Sequence, residues 1–264
     1  MALHPRSQSH RFWTAPKSTA TTQRATVFVS VALLLFLTIT PAVLARYKPP
    51  KPSRPSGTTI GTVVRGEGSC EAKPTGSLTA LAPLSHIGQT TATRPTFAWY
   101  VPDQQSYPIE FRLYAYSNKR DYIVEQRQST QGVMQYTLPK KYAALTPGQT
   151  YLWQVALRCD LGDDSKDKVV RTEVEVVAMP ATLQASLAKT ADRLQRANLY
   201  AEAGFWYDAF AEALAVGSKT ADSKAKSFMI PLLEDLVDVE ETGTSKEVKQ
   251  QHNQLRQIVE IERQ

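Results

Sequence analysis

The chain has 264 residues, 42% of them hydrophobic, which is enough for one or two domains with a buried core. It carries 31 basic and 25 acidic side chains. That excess does not point to nucleic acid, whose readers carry a basic face on the folded domain. Four bases and no acid fall within residues 1–45, and Arg46, Lys48, Lys51, Arg54 and Arg65 precede Glu67; from there on the count is 22 basic against 25 acidic.

Residues 1–45 read as an export signal. Arg6, Arg11, Lys17 and Arg24 precede the apolar run Val27–Leu37, and Val43-Leu44-Ala45 places small residues where a signal peptidase cuts, so cleavage is expected after Ala45. The competing reading is an uncleaved anchor, because Ala25–Leu44 has about the length that spans a bilayer. Membrane contact is then transient, or permanent if the segment stays. Residues 46–64 form a Pro-rich linker, with Tyr47–Gly57 too rich in proline for a helix or an interior strand.

Residues 65–178 read as a run of short strands. The expected segments are Ser77–Leu84, Thr96–Val101, Pro108–Tyr116, Tyr122–Gln126, Val133–Leu138, Thr150–Cys159 and Val169–Val177. Pro108–Tyr116 alternates apolar and polar side chains, as a half-buried strand does. Turn-rich connections without helix among them argue for an antiparallel sandwich. Leu145-x-Pro147-Gly148-x-x-Tyr151-x-Trp153 resembles the tyrosine corner of immunoglobulin-like and fibronectin-type sandwiches, where a tyrosine hydroxyl bonds to backbone a few residues upstream. Trp99 and Trp153 are expected to face one another across the two sheets. Cys70 and Cys159, two cysteines in an exported chain, are expected to form one disulfide.

After Met179-Pro180 the period becomes helical. Leu183, Leu187, Ala191, Leu194, Ala197 and Ala201 make one stripe, Gly204 breaks it, and Phe205–Val216 follows. Leu199-Tyr200-x-x-x-Gly204-x-x-Tyr207-x-Ala209 resembles a single tetratricopeptide helix pair, with no second copy at the repeat spacing. Further helices are expected over Ala221–Glu240, broken near Pro231, and over Ser245–Glu262, with a capping box in Thr244-x-x-Glu247 and few apolar residues. Residues 179–264 thus form a helical subdomain, its last helix a loosely attached tail. The fold class is α+β: an immunoglobulin/fibronectin-like antiparallel sandwich followed by helices.

Several pieces together carry a more specific resemblance. They are Arg65-Gly66 leading to Cys70, Pro95-Thr96-Phe97 with Trp99-Tyr100-Val101-Pro102, the Leu145–Trp153 motif, Cys159, and Tyr200-Ala201-x-x-Gly204-x-Trp206-Tyr207-Asp208-Ala209. In order and spacing they resemble a secreted cyanobacterial family, the domain of unknown function nine-two-eight, over Arg65–Val239. Here Gly66 and Gly68 are separated by Glu67, where the family pattern has adjacent glycines. The resemblance implies export and no particular reaction.

Chemistry is sparse. Outside the signal only His86 and His252 remain, and neither HExxH nor a nucleophile elbow occurs, so no catalytic residue is assigned. Four acids in Asp160–Asp167 offer oxygens for calcium, but without EF-hand spacing; a solvated turn is the favoured reading, and no metal or cofactor is assigned. Asp208 with Glu202 or Glu212 is the nearest approach to an acid pair. Tyr100, Tyr114 and Tyr116 fall on outward positions and are candidate binding residues for a sugar ring or a protein, unless the helices cover them. The sequence therefore points to a periplasmic or secreted non-enzymatic module, binding or scaffolding an envelope protein and no nucleic acid. A carbohydrate-binding sandwich is the alternative, and an envelope hydrolase comes third.

Overall fold

The computed structural model describes residues 47–50, 70–71, 76–115, 121–217 and 222–264. The export segment and Tyr116 lie outside these residues, which all belong to one compact unit. The architecture is mixed α+β, with two sheets and five α-helices among the described residues. None of those helices is long and apolar enough to cross a membrane.

The smaller sheet orders β1 (Thr79–Ala80), β3 (Thr96–Val101) and β6 (Gly132–Thr137). In the larger, β2 (Gly88–Thr90) is followed by β8 (Lys168–Val176), β7 (Thr150–Leu157), β4 (Pro108–Ala115) and β5 (Asp121–Gln128). All pairings are antiparallel except β2 with β8, which is parallel with Gly88 opposite Val174. Alternation sorts the side chains. Phe97, Trp99 and Val101 of β3 point inward; so do Phe111 and Leu113 of β4 and Trp153 and Val155 of β7, and all are buried. Trp99 and Trp153 lie on opposite inner faces with Phe111 between them, its ring 6.1 Å from Trp99 and 6.2 Å from Trp153. Phe97 makes the closer approach to Trp153, at 5.4 Å. Tyr151 opens β7, and the Thr146 N–H donates to its hydroxyl at 3.0 Å.

Cys70 and Cys159 are joined, with Cα atoms 5.1 Å apart, and the bond closes 89 residues of chain. Beside it the Cys70 and Glu71 N–H groups donate to Asp103.

The first strand is much shorter than its apolar sequence suggests. Only Thr79 and Ala80 pair, and the chain then crosses from the smaller sheet to the larger, where β2 begins. Side chains satisfy the carbonyls along this crossing. Gln251 donates to Ala80 and Ala82, Trp206 to Leu81, and Thr172 to Pro83. Pro83 has no N–H to offer a ladder.

The helices are α1 (Ala181–Ala188), α2 (Arg193–Glu202), α3 (Trp206–Gly217), α4 (Asp222–Glu241) and α5 (Lys246–Arg263). The stripe expected to run unbroken to Ala201 is split, because Asp192 caps a fresh helix by accepting the Gln195 N–H. Helix α4 continues through Pro231, since Met229, Leu232, Leu233 and Leu236 bury around it. Helix α5 is capped by Ser245, not Thr244, and it is no loose tail: Val248, Leu255, Ile258 and Val259 are buried and Gln251 grips the crossing.

Candidate functional site

The site is built where α3 and α4 meet the crossing segment. Gly204 ends the turn after α2 at a φ of +88°, a left-handed conformation that glycine adopts without a Cβ penalty. The next turn presents three successive polar side chains. Trp206, fully buried, donates its indole N–H to the Leu81 carbonyl at 3.0 Å. Tyr207 reaches between the sheets, where its hydroxyl accepts from the Trp153 indole and donates to the Glu173 carbonyl, both at 2.8 Å. Asp208 accepts the N–H and the hydroxyl of Thr91, each at 2.9 Å. Burial pushes the Asp208 carboxyl above its usual range, and these donors oppose the shift.

Glu240 completes the fastening from α4. Fully buried, it accepts the N–H groups of Leu84 and Ser85 and the Ser85 hydroxyl. Ser85 Oγ lies 3.1 Å from His86 Nδ1, and Tyr47 Oη lies 2.8 Å from His86 Nε2. Burial lowers the His86 pKa to about 4, so the ring is neutral at pH 7. With the Ser85 hydroxyl donating to Glu240, the Nδ1–H donates to Ser85 Oγ and Nε2 accepts from the Tyr47 hydroxyl. Serine therefore stands between histidine and glutamate. A hydrolytic triad needs histidine between serine and acid, so this chain of bonds does not activate Ser85 as a nucleophile.

Beside Asp208 opens a cleft of about 190 Å³, lined by residues of the β2–β3 loop, α2 and α3 that include Arg94, Tyr200, Ala211 and Glu212. Glu212 is paired with Arg193 at 2.8 Å and with Arg196 at 2.7 Å. Arg94 donates to the Pro139 and Tyr142 carbonyls and so fixes the loop. Asp208 and Glu212 thus share one cleft through their four-residue helical spacing, while Glu202 is exposed.

The other sequence candidates separate. Tyr100 belongs to the smaller sheet and Tyr114 to the larger, so they do not make one aromatic face. Tyr100 points outward yet is only 1% exposed, and Gly76 lies close against its ring: a Cβ on that glycine would stand 3.7 Å from the ring edge. Tyr114 is half-buried, and so is His252 on α5. In the Asp160–Asp167 turn, Lys166 pairs with Asp160 and Asp163, and Arg158 with Asp164 and Asp167. The oxygens considered for calcium already face cations.

Sequence reasoning passed over Glu240, Gln251 and Thr91. A signal existed for Glu240: Met229, Leu233, Leu236 and Glu240 recur at helical spacing, which sets a carboxylate on an apolar stripe. Thr91 carried none, since its role depends on a carboxylate 117 residues away.

Two sheets are thus joined to a helical layer through Trp206, Tyr207 and Asp208. The family model described as Domain of Unknown Function (DUF928) matches residues 60–250, and the chain belongs to that family. None of the curated proteins matches it.

Proposed function

We propose that the protein is a non-enzymatic binding module of the cell envelope, exported to the periplasm or beyond and offering the Asp208–Glu212 cleft to a partner protein. The observation that carries this reading is how the carboxylates at the junction are used. Asp208, Glu212 and Glu240 are bound to Thr91, to two arginines and to the Leu84–Ser85 turn, respectively. A general acid or base must reach a substrate proton; these groups are turned to the protein's own donors. The disulfide supports an oxidising compartment. The strand orders β1-β3-β6 and β2-β8-β7-β4-β5, with the Tyr151–Thr146 bond, support an immunoglobulin/fibronectin-like sandwich. The α2–α3 pair around Gly204 supports a tetratricopeptide-like turn.

Ala211→Trp tests the reading, because it fills the cleft without removing a hydrogen-bonded group. Immobilised wild-type protein is expected to retain an envelope protein that the variant does not, at an unchanged unfolding midpoint. Retention of nothing, or equal retention by both, overturns the reading.

A further inference from the structure

Residues 47–50 do not stand off the domain. Tyr47 is 2% exposed, wedged between His86 and Trp206, with ring centroids 5.9 Å and 5.1 Å away. Its hydroxyl bonds to His86 Nε2 and its N–H donates to Asp235 Oδ2 at 2.8 Å. The next N–H, from Lys48, donates to the Ala201 carbonyl at 3.1 Å. Gly204 lets this strap lie close: a Cβ there would meet the Lys48 carbonyl oxygen at 2.9 Å and the Pro50 nitrogen at 3.4 Å. The glycine of the turn is thus required twice, for its φ and for the strap crossing it.

These are the parts of a site for an extended proline-containing peptide. There is an aromatic wall, an acceptor for one main-chain N–H on either side of the tyrosine, a partner for the tyrosine hydroxyl, and room for stiff backbone. His86, Ala201, Gly204, Trp206 and Asp235 all lie within residues 60–250 matched by the family model, whereas the strap lies outside them. We propose that this groove recognises an extended segment with tyrosine ahead of two prolines, and that residues 47–50 occupy it in cis, so that a partner protein carrying such a segment binds by displacing the strap. The tether holds the strap at a high effective concentration, which weakens any competitor.

This proposal deepens the binding-module reading, and its test addresses the groove alone; the Ala211→Trp comparison addresses the cleft, so either can fail without the other. The full chain carrying Tyr47→Ala is titrated with the synthetic hexapeptide Arg-Tyr-Lys-Pro-Pro-Lys, with the tyrosine-to-alanine peptide as control. The hexapeptide is expected to bind and raise the melting temperature, with wild-type affinity at least about tenfold weaker because the strap competes. The control is expected not to bind. Absence of binding, equal binding of the control, or equal affinity for wild type overturns the proposal. If Tyr47→Ala does not fold, a protease site placed at residues 52–56 of the otherwise wild-type chain is cut after folding. Exchange of the strap for labelled hexapeptide then supports the proposal, and failure to exchange overturns it.

Discussion

Two acid-bearing regions of this molecule behave in opposite ways. The Asp160–Asp167 turn is dense in acids, open to solvent except at Asp167, and balanced by its own neighbours Arg158 and Lys166. Lys166 holds the Asp160 carboxyl below its usual range, and bonds from Ser165 do the same for Asp163. The junction has isolated acids, Asp208 and Glu240, both buried, with carboxyls pushed up by burial and bonded to backbone 117 and 156 residues away. A cluster of charge is a local affair that water can replace. A single buried carboxylate that accepts distant backbone N–H groups ties remote parts of the chain together.

The largest effect is expected at Trp206. Trp206→Ala removes a fully buried ring and the donor to Leu81, with an expected loss of about 3–5 kcal/mol in equilibrium denaturation. Asp208→Ala leaves two Thr91 donors without their acceptor, and about 2–3 kcal/mol is expected to be lost. Recovery of much of this by Asp208→Asn, which keeps one acceptor oxygen, would show that the acceptor matters more than the charge.

His86 gives the junction a pH dependence. Its folded pKa, about 4, lies below the ordinary 6.5, so the native state holds fewer protons than the unfolded chain between those values. The stabilisation is present near pH 7 and is lost as pH falls through that window, by about 2 kcal/mol between pH 7 and 5. Asp208 and Glu240, with raised pKa, act in the opposite sense as pH falls, so the His86→Gln variant is the proper reference: its denaturation midpoint is expected to change less over this range. The smallest effect belongs to the exposed turn. Lys166→Ala removes contacts to Asp160 and Asp163, and the midpoint is expected to be unchanged within error.

What was legible follows the same division. Alternation in Pro108–Ala115, the turn before Tyr151 and the two cysteines are local or pairwise signals, and they marked the strands and the disulfide. Ser77–Leu84 read as one strand because its apolar residues are buried; its carbonyls pair with Gln251, Trp206 and Thr172, which no local pattern announces. The start of α2 at Arg193 was hidden because Ala191 and Leu194 fit a continuous stripe, while Asp192 acts as a cap only in three dimensions. Tyr100 reads as outward by alternation, yet it is buried with Gly76 close against its ring, an approach that no local pattern announces. Asp208 stands out in the sequence only as one half of a possible acid pair with Glu202 or Glu212; its bond to Thr91 lies beyond any local pattern.

The chemistry-bearing side chains of the junction fasten the helices to the two sheets, so that the described residues unfold as one cooperative body. The direct test is equilibrium unfolding of the wild-type chain, followed by amide hydrogen exchange at helices α2–α5 and at strands β3, β4 and β7. Coincident transitions with one midpoint are expected. Loss of protection in the helices at lower denaturant, with β3, β4 and β7 still protected, would contradict it.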